Sequence, residues 1–316
     1  MPRSLALLFS GQGAQQVGMG KDLSQQFAVA ANRFAEADAA LGYSISEIAF
    51  NGPLDELTKT SRCQVALYVH GLAVLEVLRE QLGELDFVAA AGLSLGEFTA
   101  HAAAETFDFL AGLRLVANRS RYMEEACNSS SGTMAAFIGG QEADVRRIAG
   151  EADVDVANLN SPGQIVLSGS TANIHRAIEL AKEEGIRKAV LLNVAGAFHS
   201  RLMRPAQEKL ERDLSTAAIG RPKATVIANV TAGPAAEQNE IRRTLAHQVT
   251  GSVRWTESIE YLIDQVHCDL FLELGPGEVL AGLVQRIRKG TEVISIDNTE
   301  SLLEAVQRLK DALPAS

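Results

Sequence analysis

The chain has 316 residues, of which 47% are hydrophobic and 22% charged, and its formal net charge is −10. That length suits one large domain, or one domain with an insertion, and the apolar share is enough for a sizeable core without disorder. The acidic balance argues against general nucleic-acid binding, and no apolar run is long enough to span a membrane.

The N-terminal apolar run is cut short by Gly11 and Gln12, so it does not read as a signal peptide. Cys63, Cys127 and Cys268 are widely spaced, with neither zinc spacing nor C-x-x-C, which points to reduced thiols and a cytoplasmic setting. Ser4 to Phe9 reads as a buried strand leading into Gly11-Gln12-Gly13-Ala14-Gln15. That turn is either a plain strand-to-helix loop or a loop whose backbone lies beside a ligand, since glycine permits close approach. It lacks the lysine that would make it a P-loop. Apolar residues at helical spacing predict helices from Gln25 to Leu41 and from Val65 to Leu82, the second enclosing His70 as a packing residue.

Phe87 to Ala91 reads as a short strand, followed by Gly92-Leu93-Ser94-Leu95-Gly96 and a helix through Glu97, Phe98 and the alanines to Ala104. Strand, G-x-S-x-G turn and helix together form the setting of a nucleophile elbow. The turn lifts the Ser94 hydroxyl clear of the backbone, and the N-terminus of the next helix offers N–H groups to a developing oxyanion. A further helix from Asp108 to Ala126 carries Arg114, Arg119 and Arg121, which on pattern alone read as a solvated face.

From Gly132 the order becomes strand (Thr133 to Ile138), helix (Glu142 to Ala152), strand (Val154 to Leu159), strand (Gln164 to Ser168), helix capped by Ser170 or Thr171, and strand (Lys188 to Val194). Asn160-Ser161-Pro162-Gly163 supplies the central turn. This β-α-β-β-α-β order predicts a ferredoxin-like subdomain over residues 132–194, inserted into a larger α/β domain formed by residues 1–131 and 195–316. His199 follows it in a loop, a setting that fits either a catalytic base or a packing histidine; His70, His101, His175 and His247 fall in helical patterns. Ala224 to Asn229 reads as a strand, Ile241 to Thr250 as a helix, and Thr250 to Trp255 as a loop. Leu270 to Leu274 is a strand entering Gly275-Pro276-Gly277, then come a helix (Val279 to Arg288), a strand (Val293 to Ile296) and a helix (Ser301 to Leu313). Strands feeding helices through glycine turns predict a parallel sheet with its site at the strand carboxyl ends.

Taken together, the GQGAQ turn, Gly92 to Glu97, Arg119 in RLVANRSRYM, Asn160 to Gln164, Phe198-His199-Ser200 and Leu274 to Gly277 resemble the malonyl-CoA:acyl carrier protein transacylases of fatty acid biosynthesis. The resemblance implies an α/β-hydrolase-like parallel-sheet domain with a ferredoxin-like insert. It implies Ser94 as nucleophile and His199 as general base and then acid. Backbone N–H groups of Gln12 and Leu95 form the oxyanion hole, Arg119 pairs with the malonyl carboxylate, and the backbone carbonyl of Gln248 orients His199. Asn160 lies near the site, and Phe198 favours malonyl over an α-methyl-branched acyl group. Leu93 stands where the family usually has histidine. The implied reaction exchanges one thioester for another, between malonyl-CoA and acyl carrier protein, and needs no cofactor or metal. A serine hydrolase or thioesterase with the same elbow, an acyltransferase of a polyketide pathway, and a non-catalytic acyl-carrier binding module, which the retained Ser94 and His199 disfavour, are the alternatives. An acidic carrier would need a local basic patch on this acidic chain; Lys188, Arg201, Arg204, Arg286, Arg288 and Lys289 are its candidates.

Overall fold

The computed structural model describes residues 3–83 and 85–312. Strand β1 (Leu5–Phe9) is buried along its whole length. Leu5, Leu7 and Phe9 enter one apolar core, while Ala6 and Leu8 enter another on the opposite face. A strand covered on both sides reads as a continuous apolar run, which is why SLALLF shows no alternation. Helices α1 (Lys21–Gln26) and α2 (Ala28–Leu41) replace the single helix expected from Gln25. The break is Phe27, whose extended backbone (φ −122°, ψ 117°) ends one helix and starts the next. Two short helices that the pattern did not announce, α3 (Ile45–Asn51) and α4 (Leu54–Thr58), precede α5 (Thr60–Leu82). Then come β2 (Ala89–Gly92), α6 (Leu95–Ala103) and α7 (Phe109–Asn128). The Asp108 carboxylate caps α7, accepting from the Ala111 N–H at 2.7 Å.

Next in the chain stand β3 (Gly132–Ile138), α8 (Glu142–Ala152), β4 (Asp155–Ser161), β5 (Gln164–Ser170), α9 (Thr171–Glu183) and β6 (Lys188–Leu191). The four strands form a separate antiparallel sheet in the order β4-β5-β3-β6. Phe137, Ile148, Leu167 and Ile174 pack together between this sheet and its two helices. Met134, Ala136 and Val166, on the other face, join the main core. Strand β4 runs on through Asn160 and Ser161, so the turn is tighter than expected and is made by Pro162 and Gly163. Strand β6 stops at Leu191, short of Val194, because its ladder with β3 ends at Ala135.

After a 3-10 turn at Arg201–Met203 come α10 (Arg204–Thr216), β7 (Thr225–Ala228), β8 (Gly233–Pro234) and α11 (Gln238–His247). Helix α12 (Trp255–Asp264) begins where a loop was expected, and buries Trp255, Ile259 and Leu262. β9 (Leu270–Leu274), α13 (Val279–Ile287), β10 (Glu292–Ile296) and α14 (Thr299–Ala312) complete the described chain; Leu313, the expected end of the last helix, lies outside the described residues. The main sheet has the order β10-β9-β1-β2-β7-β8 and is parallel except for the β7–β8 pair. Its register sets Phe9 level with Gly92 on one side and with Leu274 on the other. The three glycine turns picked out in the sequence therefore leave adjacent strands at one edge of one sheet. No helix among the described residues is long and apolar enough to cross a membrane.

Candidate active site

Ser94 sits between β2 and α6 with φ 55° and ψ −106°, a conformation that residues with a side chain rarely adopt. The flanking glycines make it possible by letting backbones touch. A Cβ on Gly92 would lie 2.0 Å from the Gly96 carbonyl carbon, and one on Gly96 would lie 2.2 Å from the Phe9 oxygen. The strained turn is held by Asn229 at the end of β7. Its Oδ1 accepts from the Ser94 N–H at 2.7 Å, and its Nδ2 donates to the Gly92 carbonyl at 2.8 Å. Ser94 is half-buried and opens on a cavity of about 230 Å³ whose walls include Gln12, Leu93, Met134, Asn160, Phe198 and Val279.

His199 reaches the same hydroxyl from the loop before α10. Its own φ is 55°, and the loop is pinned by the Ser200 hydroxyl donating to the Ala197 carbonyl at 2.6 Å. His199 Nδ1 lies 2.7 Å from the Gln248 carbonyl oxygen and Nε2 lies 2.8 Å from Ser94 Oγ. A carbonyl can only accept, so Nδ1 carries the proton and Nε2 presents a lone pair to the serine. Burial pushes the imidazole down to about 4, helped by the nearby Arg119 charge and opposed by hydrogen bonds to the Gln248 and Gly251 backbone. The His199 ring is thus neutral at physiological pH, with the Nε2 lone pair free to accept a proton.

Arg119 corrects the sequence reading. It is not on a solvated face: its side chain is fully buried, whereas Arg114 and Arg121 are exposed. It occupies the inner stripe of α7 with Leu115, Val116 and Met123. Its Nη2 donates to Ser94 Oγ at 3.0 Å and to Gln248 Oε1 at 2.7 Å, and its Nη1 donates to Gln64 Oε1. Since Oγ accepts from Arg119, its own proton is left for His199 Nε2. Burial lowers the guanidinium to about 10, against the pull of nearby Glu97, and it stays charged at neutral pH. Burial raises Glu97 to about 7, opposed by hydrogen bonds from the Gln248 side chain and the Asn229 N–H and by the Arg119 charge.

The remaining expected residues fall around this centre. The side chain of Gln12 is held by Gln64 and Thr60. The backbone N–H groups of Gln12 and of Leu95, the first residue of α6, donate to no other group among the described residues. Asn160 and Phe198 line the cavity, and Asn160 Oδ1 is buried with no partner among the described residues. The Leu93 side chain lies on the cavity wall, where a histidine would have put a polar ring. Of the basic candidates, Arg201 is bound by Asp153 and Asp155, Arg288 by Asp264, and Arg286 by the Gln164 side chain. Three residues of the centre were missed: Gln64, Asn229 and Glu97. Gln64 is a buried polar residue just before the apolar run of α5 that starts at Val65, and Glu97 is a carboxyl group one turn beyond Ser94 on a helix that is otherwise largely apolar.

A buried histidine held by a main-chain carbonyl, a strained serine and a buried arginine on the serine oxygen define a serine acyl-transfer site. A family profile described as an acyl transferase domain matches residues 6–306. The chain belongs to that family. It is 39% identical over 312 residues to a malonyl CoA-acyl carrier protein transacylase of Bacillus subtilis, covering 97% of this chain and 98% of the relative. It is 42% identical over 295 residues to a polyketide biosynthesis malonyl CoA-acyl carrier protein transacylase of the same organism, covering 92% and 99%. A solved malonyl CoA-acyl carrier protein transacylase from Coxiella burnetii has the same mixed α/β fold, with TM-score 0.93, 37% identity and 98% of each chain covered.

Proposed function

We propose that this chain transfers the malonyl group from malonyl-CoA to the phosphopantetheine thiol of acyl carrier protein, through an ester on Ser94. The observation that carries the reading is the sharing of one hydroxyl, with His199 Nε2 at 2.8 Å and Arg119 Nη2 at 3.0 Å. The first removes the serine proton; the second brings a cation to where a free carboxylate would lie. Ser94 Oγ attacks the thioester carbon as its proton passes to His199 Nε2. The carbonyl oxygen takes up negative charge facing the free N–H groups of Gln12 and Leu95. The coenzyme A sulfur then leaves with the proton from His199. The carrier thiol enters by the reverse path, giving its proton to His199 and returning Ser94 to its free form.

The partner of His199 argues for transfer over hydrolysis. Hydrolases with this elbow place a carboxylate on the second ring nitrogen, whereas here it is the Gln248 carbonyl. A neutral acceptor stabilises imidazolium less, so the proton returns readily to the departing sulfur. The parallel sheet carrying Ser94 supports the α/β-hydrolase-like description of residues 1–131 and 195–316. The strand order β4-β5-β3-β6 supports the ferredoxin-like description of residues 132–194. The Phe198 ring on the cavity wall, which would crowd an α-methyl branch, supports malonyl over a branched acyl group. The product would feed chain extension in fatty acid biosynthesis, in the cytoplasm. The 42% identity to a relative named for polyketide biosynthesis favours a second reading, in which the same transfer serves that pathway. Mixing the enzyme with malonyl-CoA and holo-carrier protein tests the acceptor: malonyl-carrier must form faster than free malonate. Malonate as the main product would make the chain a thioesterase.

A further inference from the structure

We propose that Glu97 is a positioning residue for acyl selectivity: its carboxylate fixes the side-chain amide of Gln248 so that the oxygen, and not the NH2 group, faces Arg119. The proposal rests on the reading of Arg119 as the group that receives the malonyl carboxylate. Both ends of the amide are committed. Gln248 Nε2 donates to Glu97 Oε2 at 2.8 Å and to the Ser94 carbonyl at 2.8 Å, and Oε1 accepts from Arg119 Nη2 at 2.7 Å. Turning the amide over would set NH2 against guanidinium and oxygen against two acceptors. All three contacts would become repulsive.

The arrangement also keeps the guanidinium available. Glu97 and Arg119 are both fully buried, yet the hydrogen bond from Arg119 goes to the intervening amide and not to the carboxyl group of Glu97. Gln64 does the same at Nη1, with its own amide oriented by Gln12 Oε1. Two neutral oxygens hold the fork in place without neutralising it. An incoming carboxylate, with a full charge, can then outcompete them. A direct Glu97–Arg119 pair would have spent that charge. Gln248 therefore acts twice: its main-chain carbonyl orients His199 and its side chain orients Arg119. The buried carboxylate is not explained by helix packing, since Glu97 Oε1 has no partner among the described residues and Oε2 takes every contact.

That last fact supplies a clean control. In Glu97→Gln an amide oxygen can replace Oε2, so the acceptor is kept, while the titrating proton is lost and an NH2 group takes the unpartnered Oε1 position; Glu97→Leu removes the acceptor. Gln248→Met breaks the same link from the other end while keeping the main-chain carbonyl that holds His199. Single-turnover acylation of Ser94 by malonyl-CoA and by acetyl-CoA, followed by intact mass, reads the malonyl-to-acetyl rate ratio in folded protein. Glu97→Leu and Gln248→Met lower the ratio about tenfold or more, the size of one hydrogen bond to a charged group, while Glu97→Gln holds it within about threefold of wild type. In an Arg119→Ala background, Glu97→Leu leaves the ratio where it is. The proposal is overturned if either variant slows both substrates equally, if the ratio is unmoved, or if Glu97→Leu lowers it as much without Arg119. Should Glu97→Leu fail to fold, Gln248→Met decides alone. A wild-type enzyme that accepts no malonyl at all would instead overturn the function reading, and this proposal with it.

Discussion

Replacing Arg119 with alanine separates recognition of the acyl group from its transfer. The guanidinium is fully buried and gives hydrogen bonds to Gln64 Oε1, Gln248 Oε1 and Ser94 Oγ. With malonyl-CoA bound, the truncated site would enclose a carboxylate with no counter-charge. Breaking a buried pair in this way costs about 3–5 kcal/mol. At about 1.4 kcal/mol per tenfold, malonyl acylation of Ser94 should slow roughly a hundred- to several-thousandfold. Acetyl-CoA carries no carboxylate and loses only the Nη2–Oγ bond, so its relative activity rises. Rapid-quench acylation with each thioester, on protein shown to be folded by thermal unfolding, gives the two rate constants. A parallel fall for both substrates would mean that Arg119 serves the serine alone, and the selectivity argument would fail.

Gly96→Ala places a Cβ 2.2 Å from the Phe9 oxygen, forcing β1 and α6 apart. It should destabilise the protein by about 1–3 kcal/mol or more, and a wild-type urea midpoint would contradict the close-packed elbow. Because burial holds His199 at about 4 and Arg119 at about 10, the acylation rate of Glu97→Gln, which lacks the carboxyl group raised to about 7, should stay flat across neutral pH. The sign follows from the forms required: the base must be neutral, so activity falls as pH drops through about 4, and the cation must be charged, so malonyl use falls as pH rises through about 10. A rate limb near the ordinary histidine value in Glu97→Gln, where Glu97 no longer titrates, would refute that assignment. Charge reversal at Arg286 and Lys289, exposed at the end of α13 whose Val279 and Leu283 line the cavity, should raise KM for carrier protein and flatten its salt dependence. Ser94 acylation by malonyl-CoA should not change. Arg201→Glu should matter less, since Asp153 and Asp155 already hold that charge. An unaltered KM and salt slope in the α13 variants would remove this surface as the docking site.

What the sequence made legible was local. A glycine-flanked serine between an apolar run and an alanine-rich helix announces its own turn, and the β-α-β-β-α-β order of residues 132–194 follows from periodicity within each element. His199 was legible as the one histidine in a loop after a strand and a glycine. What escaped was made by contacts far apart along the chain. Asn229 holds the backbone of Ser94 across 135 positions, and the Gln248 side chain reaches the same residue across 154. No local pattern encodes such a pairing. Arg119 misled because arginine on a helix is usually solvated; its place in the stripe of Leu115, Val116 and Met123 was the sign of burial. Helix α12 was missed although Trp255, Ile259 and Leu262 follow helical spacing, because the preceding Thr250-Gly251-Ser252 read as a loop that continued. The extended backbone at Phe27 interrupts an apolar stripe that shows no break, so the end of α1 was invisible.

The central claim is that the Ser94 oxygen carries the acyl group between two sulfurs. Intact mass of the enzyme after brief exposure to malonyl-CoA tests it directly. The account predicts one malonyl adduct on the peptide bearing Ser94, absent in Ser94→Ala and cleared on adding holo-carrier protein with the malonyl group appearing on the carrier. An adduct that persists in Ser94→Ala, or one that only water removes, would contradict it.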